Sequence, residues 1–230
     1  TVQADSMRFR RNLERVGEIT AYEISKTMAY QSRPVTTSLG VSNCELPVEQ
    51  PVLATILRAG LPFHRGFLNY FDHAENSFIS AYRIHHQDDD AFDVEVEYLA
   101  SPDLNGKTVI LCDPMLATGN SSVAAIDLLK KSGAKDIRFL CLLAAPEGVA
   151  AFQKSQPDVP IFTAAIDERL NEKGYIMPGL GDAGDRLFGT YRDQPRAGHE
   201  GMTIGIRKFR EIRQVVWFPG MMLLPFKGRI

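Results

Sequence analysis

Beyond Gly106 the chain alternates short apolar runs with amphipathic segments, and this alternation constrains the fold more than any other feature. Residues 108–112 read as a strand, 121–131 as a helix, 137–144 as a strand, 148–154 as a helix and 159–166 as a strand. Strands separated by helices cannot pair as tight hairpins. Each connection must cross over, and such crossovers are right-handed, so the pattern predicts an α/β fold with a mainly parallel sheet covered by helices on both faces. An earlier apolar run, residues 52–57, ends in Arg58-Ala59-Gly60, where glycine permits a tight exit from a strand. Open sheets of this kind bind ligands just beyond the carboxyl ends of their strands. The residues following Leu57, Cys112 and Ile166 are therefore the first candidates for function.

Other elements are visible upstream. Between residues 10 and 28, Leu13, Val16, Ile19 and Ile24 recur at helical spacing with charged residues between them. Residues 66–70 read as part of a helix. Residues 92–98 alternate strictly, with Phe92, Val94, Val96 and Tyr98 on one face and Asp93, Glu95 and Glu97 on the other, the pattern of a strand with one wet face. Residues 77–84 are also strand-like, and the polar link from His85 to Asp90 predicts a hairpin arm. Its histidines and aspartates are assigned to a solvated loop tip and to no metal.

Composition narrows the function classes. A chain of 230 residues suffices for one compact domain, and a formal charge of −2 supplies no general attraction to nucleic acid. Cys44, Cys112 and Cys141 lack metal-ligand spacing, and two of them lie in apolar runs, as reduced structural thiols do. The start has no apolar core after its basic residues, and the apolar stretch 215–226 is interrupted by Pro219, Gly220 and Pro225. No secretory signal and no membrane span are expected, which places the protein in the cytoplasm. Thr1 in place of methionine is the start expected of a trimmed chain.

Two loops carry the chemistry. The strand 108–112 runs into Asp113-Pro114-Met115-Leu116-Ala117-Thr118-Gly119-Asn120-Ser121, and a helix follows at once. A strand, a loop of small residues with a hydroxyl, and a helix N-terminus make an anion cradle from unpaired backbone N–H groups, which points to a phosphate. No lysine follows the glycine, so this is not the loop of nucleoside triphosphatases. Asp113 suits the hydroxyls of a sugar attached to the phosphate. The same composition also serves an ordinary strand-to-helix turn with a cap. The second loop, residues 174–186, reads GYIMPGLGDAGDR. Gly179, Gly181 and Gly184 match a dinucleotide fingerprint by spacing, but Pro178 precedes them and no crossover unit follows, so that reading fails. Such glycine density exposes backbone N–H and C=O groups to a flat polar ligand.

Arg58-Ala59-Gly60, residues 113–119 and residues 174–186 together resemble the uracil phosphoribosyltransferases in order and spacing, over roughly residues 8–190. The middle motif alone resembles phosphoribosyltransferases in general; the third resembles the uracil-specific family. The resemblance implies a type I phosphoribosyltransferase fold, with a mainly parallel sheet flanked by helices, a small hood over the site that includes about 167–186, and the hairpin arm at about 77–99. It implies one domain over 1–190 and a C-terminal extension over 191–230, and the reaction of uracil with phosphoribosyl pyrophosphate (PRPP) to give UMP and diphosphate. It further implies that Asp113, Pro114, Met115, Leu116, Ala117, Thr118, Gly119, Asn120 and Ser121 bind PRPP, with Arg58 and Arg83 on its pyrophosphate. Tyr175, Ile176, Gly181, Asp182 and Ala183 would bind uracil, with Asp182 also serving PRPP through its magnesium. Arg58, Asp113 and Asp182 are the catalytic candidates. Mg2+ is the implied cofactor, carried mainly by PRPP, and the implied state is a homodimer, with GTP a candidate effector.

Arg58 and Arg83 each have a plainer alternative as surface ion pairs, and Asp185 and Arg186 as partners of each other. Asn120 stands where the family usually has glycine; asparagine tolerates left-handed backbone angles, so the loop is expected to survive. The family typically ends near Thr190, so the extension, with Arg207, Lys208, Arg210, Arg213 and Trp217, is open to three readings: a packing segment, a subunit contact or sequence foreign to the family. Three functional alternatives remain. One is a regulator of the same fold that binds RNA, which needs a basic face that is absent outside the extension. The others are a transferase for another base and an inactive homologue.

Overall fold

The computed structural model describes residues 5–85, 92–190, 210–212 and 215–217. In chain order the elements are α1 (Ser6–Ser25), β1 (Tyr30–Thr37), β2 (Gly40–Pro47), β3 (Val52–Leu57), α2 (Leu61–Leu68), β4 (Asn76–His85), β5 (Phe92–Ala100), β6 (Thr108–Cys112) and β7 (Met115–Leu116). There follow α3 (Asn120–Lys131), β8 (Asp136–Ala144), α4 (Pro146–Ser155), β9 (Ile161–Ile166), β10 (Arg169–Leu170), β11 (Ile176–Met177), α5 (Ala183–Phe188), β12 (Arg210–Ile212) and β13 (Val215–Trp217).

The central sheet has the order β13-β12-β9-β8-β6-β3-β4-β5, with β7 pairing beside β8. The pairs β3/β4, β3/β6, β6/β8 and β8/β9 are parallel, as the alternation requires. Because each inner strand is apolar on both faces, its residues divide between two cores. Leu53, Ile110, Leu140 and Leu142 meet Phe9 and Leu13 of α1, Phe63 and Phe67 of α2, and Leu187 of α5. Val52, Ala54, Val109, Leu111 and Phe139 meet Ala125, Ile126 and Leu129 of α3 and Phe152 of α4. The sheet is thus covered on both sides.

Strand order reverses at β3. The chain places β4 on one side of β3 and then returns to place β6 on the other, so the connections after β3 and β6 leave on opposite faces and open a crevice between the two strand ends. Arg58 and Asp113 are the first residues beyond those ends.

Several expectations change in detail. The buried stripe of α1 passes through Phe9, Leu13, Gly17, Thr20, Ala21 and Ile24, whereas Val16 and Ile19 are only half-buried. Glycine at position 17 is required by a close crossing: a Cβ there would lie 2.3 Å from the Phe63 carbonyl oxygen, and one at Gly66 would lie 2.1 Å from that of Glu14. Helix α2 begins at Leu61, earlier than the residues that announce it, with Pro62 in its first turn, where its missing N–H costs nothing. The hairpin of β4 and β5 continues the central sheet: β4 is parallel to β3 as far as Ser80 and antiparallel to β5 along Phe78–His85, with a register shift at Ser80/Ala81. The polar link between these strands and most of the C-terminal extension lie outside the described residues. Within the extension, β12 pairs antiparallel with the β9 edge, Arg210 opposite Thr163. A strand in that position covers an otherwise unpaired edge.

All three cysteines are free, and Cys112 and Cys141 are buried. Burial pushes the Cys141 thiol up to about 12 and that of Cys112 well above its ordinary range, as inert core thiols require.

Candidate active site

An open cleft of about 280 Å³ lies over the crevice between β3 and β6. Its lining includes Arg58 and Ala59 after β3, Asp113, Pro114, Met115, Ala117, Thr118, Gly119 and Ser121 after β6, and Gly174, Tyr175, Gly181, Asp182, Ala183 and Gly184 from the second loop. Three sequence-distant segments therefore surround one space.

The exit from β3 is fixed by packing. A Cβ on Gly60 would lie 2.1 Å from Thr55 Oγ1 and 2.9 Å from the Cys112 carbonyl oxygen, so only glycine lets the turn press against β6. The buried Thr55 hydroxyl donates to that same Cys112 carbonyl at 3.1 Å, locking the two strand ends together.

The second segment has the shape of an anion cradle. Gly119, at φ +88°, is the N-cap of α3, and its left-handed backbone turns the chain into the helix without a side-chain cap. The first-turn N–H groups of α3 are left for a ligand. Asn120 is the first helical residue and is exposed; the left-handed position belongs to Gly119, so asparagine at 120 meets no backbone demand and its tolerance of that conformation is not used. Leu116 is fully buried and its N–H and C=O face β8, so it supports the loop from the core side. The loop also rests on α4. A Cβ on Gly148 would lie 2.0 Å from the Ala117 carbonyl oxygen. Nothing in the local sequence marks that contact, which joins residues from different crossovers.

Asp113 borders the cleft with its backbone N–H donating to the Leu140 carbonyl. Burial among the strand ends pushes its carboxyl up to about 7, against the opposing effect of a hydrogen bond from the Met115 N–H. A carboxyl held near neutrality can exchange its proton when hydroxyl donors arrive.

The third segment is a small hood. β10 and β11 pair through Arg169↔Met177 and Leu170↔Ile176, and the turn between them is tied by Asn171 Oδ1, which accepts from the N–H groups of Lys173 (3.0 Å) and Tyr175 (2.9 Å). Two carboxylates anchor the hood. Glu147 Oε1 accepts the Leu170 N–H at 3.0 Å, and Asp167 Oδ2 accepts the Gly179 N–H at 2.9 Å. The Leu170 bond is the main cause holding the Glu147 carboxyl below its usual range. Gly179, at φ +58°, folds so tightly that a Cβ would lie 1.9 Å from the Ile176 carbonyl oxygen. Ile176 is itself buried, so only its backbone is at issue for a ligand.

Asp182 is the N-cap of α5: its Oδ1 accepts the Asp185 N–H at 2.8 Å, which leaves the second carboxylate oxygen for a ligand. Asp185 pairs with Arg58, Nη2 to Oδ1 at 3.1 Å, and not with Arg186. Arg186 lies over the Phe9 ring at 4.1 Å and donates to the Leu180 carbonyl at 3.0 Å. Arg83 lies on β4 in register with Val94, and its side chain is outside the described residues.

Among the described residues no three His, Cys, Asp or Glu side chains converge as a metal cage. Two carboxylates, Asp113 and Asp182, do border the cleft, a donor set that fits a hard cation arriving with phosphate oxygens and water. No helix among the described residues is long and apolar enough to cross a membrane.

Comparison with known proteins places this geometry in context. The family model described as uracil phosphoribosyltransferase matches residues 1–190. A uracil phosphoribosyltransferase of Porphyromonas gingivalis is 53% identical over 191 residues, spanning 82% of this chain and 88% of that protein. One from Rhizobium rhizogenes is 48% identical over 189 residues, spanning 79% and 86%. Among solved structures, the AQ2163 protein from Aquifex aeolicus superposes with a TM-score of 0.75 at 33% identity, covering 82% of this chain and 89% of that one.

Proposed function

The chain belongs to the uracil phosphoribosyltransferase family, and from that premise we propose that it transfers the phosphoribosyl group of PRPP to uracil, giving UMP and diphosphate in pyrimidine salvage in the cytoplasm. The observation that carries this reading is the convergence of Arg58, the 113–121 loop and the 174–184 segment on one cleft at the point where strand order reverses.

The division of labour follows from chemistry. The loop 117–121, with its free N–H groups at the start of α3, suits the 5-phosphate of the ribose, and the Asp113 carboxyl suits the ribose hydroxyls. The Arg58 guanidinium suits the pyrophosphate, with Arg83 as a second cation from β4. Uracil presents an N3–H donor between two carbonyl acceptors, which a backbone C=O flanked by backbone N–H groups can match. We assign these groups to the backbone of Ile176 and of residues 181–183, since the Gly179 N–H is held by Asp167. Cytosine reverses the pattern at N3 and C4, leaving partners unpaired, which is a strong basis for rejection. Tyr175 lines the same cleft.

The bond that forms joins uracil N1 to the anomeric carbon; the bonds that break are the anomeric C–O bond, whose electron pair leaves with diphosphate, and the uracil N1–H bond, whose proton passes to the departing diphosphate or to water. Positive charge grows on the ribose as the leaving group departs, so a fixed cation at the pyrophosphate lowers the barrier. A magnesium ion bound with PRPP would add charge neutralisation at the leaving group, with Asp182 as its protein oxygen donor. Uniting both substrates in one cleft removes much of the entropic barrier of a bimolecular step. A homodimer and a GTP effector remain part of the proposal through family resemblance.

Turnover tests it. The protein is incubated with labelled uracil, PRPP and Mg2+ beside parallel reactions with cytosine, adenine and hypoxanthine, and with the metal chelated. The expected product is UMP from uracil alone, and only with metal present. UMP formation without metal would remove magnesium from the account; product from another base would overturn the backbone reading.

A further inference from the structure

We propose that Asp185 is a positioning residue for Arg58, holding its guanidinium at the cleft wall and linking the pyrophosphate end of the site to the base end. The inference rests on the functional reading above. Asp185 Oδ1 receives Arg58 Nη2 at 3.1 Å across 127 residues of sequence. The carboxylate is itself fixed, because the Thr190 hydroxyl donates to the same oxygen at 2.8 Å and the Asp185 backbone N–H is capped by Asp182.

The surroundings favour orientation over stability as the role of this pair. The Arg58 side chain is 49% exposed and that of Asp185 20%, and a half-exposed ion pair adds little to stability. A Cβ on Gly184 would stand 3.3 Å from Arg58 Nε and 3.5 Å from Nη2, so the guanidinium lies against the α5 backbone where a side chain would crowd it. Asp185 engages one face of a rigid fork with five N–H donors, and the others remain for phosphate oxygens. A long, flexible cation is thereby ordered before substrate arrives, which lowers the entropic cost of binding. Asp185 lies in the first turn of α5, which Asp182 caps, so the ion pair ties Arg58 to the segment assigned to the base.

The test is Asp185→Asn in the full chain, a change that keeps the volume and the acceptor for Thr190 but removes the charge that holds Arg58. Binding of PRPP with Mg2+ and binding of UMP are measured by titration calorimetry, since UMP shares the phosphate and base contacts but has no pyrophosphate. PRPP affinity is expected to fall up to about tenfold, the cost of ordering one long, rotamer-rich side chain on binding, with UMP affinity changing less than about twofold. Unchanged PRPP binding, or equal weakening of both ligands, overturns the proposal, the latter showing that Asp185 only supports α5. A wild-type protein that binds PRPP but makes no UMP refutes the transferase reading while this comparison still decides the role of Asp185. If the wild type binds neither ligand, both fall.

Discussion

Replacing Asp113 by asparagine is expected to change the pH dependence of stability in a definite direction. Burial raises the carboxyl from an ordinary 3.8 to about 7, so the folded state holds this proton more tightly than the unfolded chain does. The stability it contributes is fully present below pH 3.8 and is lost as pH rises through about 7, because the unfolded carboxyl ionises first. The whole interval corresponds to a ceiling of about 4 kcal/mol, of which roughly two-thirds falls between pH 5 and pH 8. Asp113 is half-buried and borders an open cleft, and water there reduces the penalty, leaving about 1–3 kcal/mol. Asparagine cannot ionise, so Asp113→Asn should lose less stability than the wild type between those pH values. For a domain of this size that is a difference of roughly 2–10 °C in the Tm change from pH 5 to pH 8. Thermal unfolding of the ligand-free proteins, followed by circular dichroism at both pH values, measures it. Groups other than Asp113 titrate equally in both proteins and cancel. Parallel Tm curves across the range would refute the reasoning, showing that the native carboxyl is ionised as in water.

Asp182→Ala and Asp182→Asn separate a structural role from a catalytic one: alanine removes the cap on α5 and should cost about 1 kcal/mol, whereas asparagine is a good cap and should keep the stability. Both should lose most UMP formation, and full activity in the asparagine variant would remove Asp182 from the PRPP site. Gly148→Ala drives a methyl to within 2.0 Å of the Ala117 carbonyl oxygen, so it should cost about 1–3 kcal/mol in urea unfolding and weaken PRPP binding by displacing the phosphate loop. Unaltered PRPP affinity would show that α4 does not shape that loop.

What could be read in the sequence was what local pattern encodes. The strands from β6 to β9 are apolar on both faces and separated by amphipathic stretches, so periodicity alone reports a parallel sheet, and with it the strand ends where ligands gather. Gly119 and the small residues around it announce a turn into a helix. By contrast, the hairpin β1–β2, in register from Tyr30↔Pro47 to Thr37↔Gly40, has no buried residue, with Leu39 almost fully and Val41 largely exposed, so no alternation marks it. Contacts that join distant crossovers were equally invisible. Gly148 under Ala117, Gly17 against Phe63 and Asp185 beside Arg58 are each dictated by a partner far along the chain. A pairing of Asp185 with its neighbour Arg186 is the local alternative; instead Asp185 holds Arg58, and Arg186 lies over the Phe9 ring and donates to the Leu180 carbonyl.

The most direct test of the account is a crystal structure of the protein with UMP and diphosphate bound. The account places the 5-phosphate on the N–H groups of 117–121, the uracil edge on the backbone of Ile176 and of 181–183, and diphosphate beside Arg58. A base held by side chains away from the 174–184 segment, or a phosphate bound elsewhere than at the start of α3, would contradict it.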